Sequence, residues 1–179
     1  PASAVEQILK VNDPANIGIR EKALAVIDGF MRRDEQIKIQ YAAKYANIQN
    51  AYKKWQGEVL GLTRTNAVEK KKMYEAEFLK RVRMKPQWNA EYGNLLNDLN
   101  VAYGELKPYG FARDYFNEIV PRIELFTIAA QLNSLINTYN KDGENGYRQR
   151  LAQVKNTLNN LYQEYNSTVD QKLFETLLA

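Results

Sequence analysis

The chain has 179 residues, a net charge of +4, and neither cysteine nor histidine. Its composition, 45% apolar and 26% charged, is that of a globular domain rather than a disordered segment. The two missing residue types exclude disulfides, thiol nucleophiles, zinc–thiolate sites and any imidazole base within these residues.

Helical periodicity runs through the whole chain, and no segment alternates like a strand. Ser3-Ala4-Val5-Glu6 has capping-box spacing ahead of Val5, Ile8 and Leu9, which predicts a short opening helix that Asn12-Asp13-Pro14 stops. A second helix carries Ala23, Leu24, Ile27, Phe30 and Met31 on one side. Asp34 is placed to cap a third, where Ile37, Tyr41, Tyr45, Ile48, Tyr52, Trp55 and Val59 recur every three or four residues. Gly57 and Gly61 weaken that helix toward its end, and Asn66 with Glu69 predicts a fresh capping box before Val68.

Pro86 suits the first turn of the next helix, whose expected buried face is Trp88, Tyr92, Leu95, Leu96, Leu99, Tyr103 and Leu106. Pro108-Tyr109-Gly110 reads as a turn. From Phe116 to about Asn140 the helical pattern resumes, with a kink expected at Pro121. Residues 141–146, Lys-Asp-Gly-Glu-Asn-Gly, form the strongest loop signal in the chain. Tyr147, Leu151, Val154, Leu158, Leu161 and Tyr165 then mark another helix. Ser167 or Thr168 is the expected cap of a last one, which carries no stop signal before Ala179. Most of the twelve tyrosines and two tryptophans fall on these stripes, which assigns about three in four of them to core packing with a hydroxyl reaching the surface. The fold class this predicts is all-α, a bundle of long antiparallel helices. The start at Pro1-Ala2-Ser3 and the unfinished last helix lead us to expect a module excised from a longer chain.

Charge is divided unevenly. Residues 1–85 hold 17 Lys and Arg against 10 Asp and Glu, while residues 86–179 hold 8 against 11. Lys70-Lys71-Lys72 and its basic neighbours alternate with Glu69, Glu75 and Glu77, the pattern of a solvated helix face with i, i+4 pairs such as Glu77 and Arg81. No nucleic-acid motif accompanies the charge, so no nucleic-acid partner is expected. No run approaches 18 apolar residues, and no membrane span is expected either. Carboxylate spacing does not match a di-metal helix site, whose Glu-x-x-His element needs histidine, so neither a catalytic residue nor a metal ligand is expected here.

On the third helix Ala43, Ala46, Asn50, Gly57 and Gly61 fall in a narrow arc roughly opposite the apolar stripe. Small residues there either let a ligand or another backbone approach, or pack the helix tightly between two others. Asn50 is the hydrogen-bonding group at the middle of that arc.

The same stretch resembles a known family. Tyr41-Ala42-Ala43-Lys44-Tyr45-Ala46, Asn50-Ala51-Tyr52-Lys53-Lys54-Trp55, Gly57-Glu58, and Gly61-Leu62 through Arg64, Asn66 and Glu69-Lys70-Lys71 are similar to the bacterial serine dipeptidyl-peptidases represented by dipeptidyl-peptidases VII and XI. The resemblance is specific over roughly residues 14–82 and looser beyond. It implies that residues 1–179 are a helical cap, inserted in a larger chymotrypsin-like protease, incomplete at its C-terminal end and without the catalytic double β-barrel. The parent would remove dipeptides from free peptide N-termini in the periplasm or at the surface of a Gram-negative cell. No cofactor is implied, and the fragment would be inactive alone. Its implied partners are the peptide N-terminus and the β-barrel domain of the same chain, and a homodimeric parent is compatible with it. The resemblance further implies that an asparagine of the cap holds the substrate's α-amino group. Asn50 matches best and Asn66 second. The competing expectation is a free-standing helical interaction module whose basic N-terminal half binds an acidic partner.

Overall fold

In the computed structural model, which describes residues 1–179, every regular element is helical and there is no strand. Nine α-helices follow one another: α1 Ala2–Gln7, α2 Asp13–Met31, α3 Glu35–Arg64, α4 Ala67–Arg83, α5 Pro86–Tyr92, α6 Leu95–Leu106, α7 Gly110–Asp114, α8 Glu124–Glu164 and α9 Ser167–Leu178. The all-α bundle expected from periodicity is therefore what the chain forms. It divides into two compact units, one made of residues 1–18 and 51–114 and the other of residues 19–50 and 115–179. Both α2 and α3 contribute residues to each.

The second unit holds a true core. Ala23, Leu24 and Ile27 of α2, Ile37, Tyr41 and Ile48 of α3, Ile119, Ile123, Val154 of α8, and Val169, Leu173 and Leu177 of α9 are all buried. Burial of each larger side chain contributes roughly 1.5–3 kcal/mol, which explains why the periodic stripes of these helices turn inward. Asp34 caps α3 as expected, accepting from the backbone N–H of Gln36 at 2.8 Å and of Ile37 at 3.1 Å.

The loop expected at residues 141–146 contracts to a single break at Gly143, with φ 68 and ψ −159. That conformation is open essentially to glycine alone, so one residue reverses the chain and its neighbours stay helical. The two arms of α8 fold back as an antiparallel hairpin. Arg150 donates to Ser134 Oγ at 3.0 Å and to Gln131 Oε1 at 3.2 Å, and the Tyr139 and Tyr147 rings meet edge to face at 6.0 Å.

Asn166, not Ser167 or Thr168, caps α9 by accepting from the N–H groups of Thr168 and Val169, both at 3.1 Å. The start of α8 is capped from a distance. Ile123 has no polar side chain to offer, and buried Asp170 accepts from Glu124 N at 2.6 Å and Leu125 N at 3.0 Å. A carboxylate there also meets the positive end of the helix dipole, which ties α9 to α8.

The first unit departs more from expectation. Ser3 lies inside α1, its hydroxyl buried without a partner, so no capping box forms. Instead α1 packs against α4 and α6, and Ala2 N donates to Glu75 Oε1 at 2.7 Å. Asn12-Asp13-Pro14 does not stop the helix: the chain passes through a π-helical turn, Ile8–Asn12, straight into α2. The wider turn accommodates a proline that has no N–H to give. Asn66 joins α3 to α4 at φ 50, with no side-chain cap bond, so the Asn66/Glu69 box is not made either. Its left-handed backbone makes the turn, and asparagine tolerates that conformation better than most residues.

Pro86 does open α5, but the long helix expected after it breaks at Gly93-Asn94. There the Asn89 carbonyl comes so close that a Cβ on Gly93 would stand 2.5 Å from it. The face expected to be buried on α5 and α6 is not: Trp88, Tyr92, Leu95 and Leu106 are exposed, while Leu96, Leu99 and Tyr103 are half-buried. At Pro121 the chain makes a short 3-10 turn, Val120–Arg122, and α8 starts afresh rather than continuing through a kink. Among the tyrosines and tryptophans Tyr41 is buried and Tyr45, Tyr52, Trp55, Tyr103, Tyr115, Tyr147 and Tyr165 are half-buried, as core packing with a surface-reaching polar end requires. Tyr74, Trp88, Tyr92, Tyr109, Tyr139 and Tyr162 are exposed, more than expected.

Candidate functional site

Helix α3 is uninterrupted for 30 residues, through Gly57 and Gly61, a length of about 45 Å. Its apolar stripe is graded. Ile37, Tyr41 and Ile48 are buried, and Tyr45, Tyr52, Trp55 and Val59 are half-buried. The opposite arc is open: Ala43, Ala46, Asn50, Gly57 and Gly61 are all exposed. A Cβ added at Gly57 or Gly61 would meet nothing within 4 Å. The small residues therefore do not pack α3 between two other helices of this chain. They leave a bare backbone strip with the Asn50 amide at its middle and the exposed Lys53 and Lys54 beside it.

An amide on such a strip presents both an oxygen acceptor and an NH₂ donor to whatever approaches. Asn66 is also exposed, but it sits in the turn after α3, about four helical turns beyond Asn50 along the chain. The two asparagines are separate features. Asn66 is accounted for by its backbone conformation, and Asn50 has no structural task of that kind.

A second polar constellation lies within the 19–50/115–179 unit. Ile27, Tyr41, Lys44, Asn47, Ile48, Pro121, Arg122, Glu124 and Leu173 line a pocket of about 170 Å³. Lys44 is hydrogen-bonded to Glu124 and also donates to the Glu164 carbonyl at 2.8 Å. Burial raises the pKa of Glu124 in spite of Lys44, which pulls it down. The Tyr41 hydroxyl is raised as well, by burial first and by the Glu124 charge second. Nearby, Glu118 bridges two guanidinium groups, Arg20 at 2.9 Å and Arg122 at 3.2 Å. Burial and the Arg20 charge lower the Arg122 pKa. A buried pair of this kind holds geometry more than it adds stability. Within the pocket the Lys44–Glu124 pair joins α3 to the start of α8. Sequence reasoning missed it. Glu118 and Arg122 stand at i, i+4 and were readable as a pair, but Arg20 meets Glu118 across 98 positions, which no local spacing signals.

The basic segment is solvated, as its alternation suggested. Lys72 pairs with Glu69 and Arg81 with Glu77, both at 3.0 Å. No single helix is long and apolar enough to cross a membrane.

Comparison with known proteins puts this geometry in context. The peptidase S46 family model matches residues 1–179, the whole of the chain. The chain belongs to the peptidase S46 family. It is 43% identical to an Asp/Glu-specific dipeptidyl-peptidase of Flavobacterium psychrophilum and 39% identical to one of Capnocytophaga gingivalis, in each case over all of this chain and 25% of the relative. It is 27% identical to dipeptidyl-peptidase 7 of Capnocytophaga gingivalis, over 83% of this chain and 21% of that protein. The S46 similarity thus extends well past residues 14–82, where motifs alone were specific. This S46 chain spans about a quarter of the length of the curated relatives it matches.

Proposed function

We propose that residues 1–179 are the helical cap of a serine-type dipeptidyl-peptidase, and that Asn50 binds the free α-amino group of the peptide substrate. The observation that carries this reading is the open arc of α3. An exposed amide stands in line with exposed alanines and glycines on one side of the helix. An extended peptide can lie close to such a backbone, and the amide oxygen can accept a hydrogen bond from its ammonium group. A fixed acceptor at the chain end measures a constant length of substrate and makes the enzyme release dipeptides. The reacting groups belong to a β-barrel domain of the same polypeptide, since these residues supply neither histidine nor cysteine. We also propose, on the family resemblance of residues 41–71, that the parent acts in the periplasm or at the cell surface.

The identities of 43% and 39% are to Asp/Glu-specific enzymes, against 27% for a dipeptidyl-peptidase 7. We therefore assign the parent a preference for acidic peptides. The basic balance of residues 1–85 favours the same substrates, because a positive surface raises the encounter rate of anionic ligands at low ionic strength.

Asn50→Ala in the full-length protein tests the reading. Loss of one hydrogen bond to a charged group costs about 1.5–3 kcal/mol, so kcat/KM for a dipeptidyl substrate with a free N-terminus should fall about ten- to a hundredfold at unchanged Tm. Unaltered kinetics would remove Asn50 from the site. A lowered Tm with normal turnover would make it a structural residue.

A further inference from the structure

A groove between α2 and α9 carries a charge pattern that neither the core nor Asn50 uses. It lies within the unit of residues 19–50 and 115–179 and has a volume of about 430 Å³. Ala25, Val26, Gly29 and Phe30 of α2 recur at helical spacing and form its floor. A Cβ added at Gly29 would meet nothing within 4 Å, so the floor is open. Three exposed cations border it, Lys22 and Arg33 on the α2 side and Lys172 on α9, and no carboxylate lines it. Neighbouring Arg32 pairs with Asp28 at 2.7 Å, whereas Lys22 and Arg33 form no ion pair. Lys172 meets Glu175 at 3.3 Å with both side chains about half exposed, and such surface pairs are weak.

Lys22 precedes the floor residues in the chain and Arg33 follows them, about 15 Å away along the helix. An occupant complementary to this groove is apolar in its middle and anionic at both ends. An amphiphile with a single head group would leave one end unmatched. An extended peptide, at about 3.3 Å per residue, covers the length in about five residues. We propose that the groove binds acidic peptide chains as an extended segment, with carboxylates near Lys22 and Arg33 and apolar side chains over the floor. It reads side chains and needs no free amine, so it is a second contact for acidic substrates. This role rests on the preference for acidic peptides proposed above and not on Asn50.

Fluorescence anisotropy with the full-length protein tests it. The probe is an N-acetylated, dye-labelled peptide of three leucines between two glutamates, whose blocked amine cannot engage Asn50. A second probe carries glutamines in place of the glutamates. At low salt the wild type should bind the acidic probe, and the glutamine probe at least about tenfold more weakly. Lys22→Glu combined with Arg33→Glu should weaken the acidic probe at least about tenfold. Lys70→Glu combined with Lys71→Glu, the same charge change on α4, should weaken it less than about twofold. If the groove reversal lowers Tm, Lys22→Gln with Arg33→Gln replaces it, and the loss should still reach about fivefold. No binding by the wild type, equal binding of the two probes, or equal losses from the two reversals overturns the proposal. Binding of phosphatidylglycerol vesicles in place of the acidic probe also overturns it, because the groove then faces a membrane. Cleavage of acidic against neutral dipeptidyl substrates reads the substrate preference separately. Those substrates are too short to span the groove, so its charge reversal should leave their rates within about twofold.

Discussion

The two units of this chain are built from equally periodic helices, yet only one of them closes on itself. In residues 19–50 and 115–179 the apolar stripes of α2, α3, α8 and α9 converge, and the polar groups caught among them find partners such as Glu118 for Arg20 and Asp170 for the start of α8. In residues 1–18 and 51–114 the stripe of α5 and α6 stays largely in solvent, although Trp88, Leu95 and Leu106 are as apolar as anything in the other unit. The contrast teaches that amphipathicity specifies which side of a helix must be covered and leaves open what covers it.

The largest expected effect separates the two stripes directly. Leu173→Ala should destabilise the 179-residue chain by about 2–5 kcal/mol in urea denaturation, because it opens a cavity in a closed core. Leu106→Ala in the same chain should change stability by less than about 0.5 kcal/mol, as surface truncations do. Similar losses from both would erase the distinction between the units.

A pH series sharpens the account of the closed unit. Burial raises the Glu124 pKa above the 4.5 of a free carboxyl, so the folded state binds this proton more tightly than the unfolded state. The contribution of Glu124 to stability is therefore greatest below that value and falls as pH rises through the raised folded-state pKa. Glu124→Gln removes the titration. The Tm difference between the variant and the wild type should shift in favour of the variant across that window as pH rises. A difference independent of pH would mean that Lys44 compensates fully for the burial.

The smallest effect concerns the turn between α3 and α4 in the open unit. At φ 50 the Asn66 backbone is left-handed, so Asn66→Gly should leave stability within about 0.5 kcal/mol. Asn66→Thr, a good helix cap but a poor left-handed residue, should cost about 1–2 kcal/mol. The reverse order in thermal melts would restore the capping role that the Asn66/Glu69 spacing suggested.

Much was legible before any fold was known. Periodicity alone located α2, α3, α8 and α9, Asp34 was readable as a cap, and the small arc around Asn50 could be drawn on a helical wheel. These features depend on residues within a few positions of each other, and 3.6 residues per turn is a local rule. Tertiary structure decided the rest. It made Gly143 the whole of a predicted six-residue loop, because one positive φ suffices to reverse a helix. It brought Asp170 to the start of α8 and Arg20 to Glu118, partners too distant in sequence for spacing to reveal. It kept the Asn50 arc open and left the α5–α6 face uncovered. Whether an apolar or small-residue face is buried depends on which other surfaces reach it. No residue carries that information about itself.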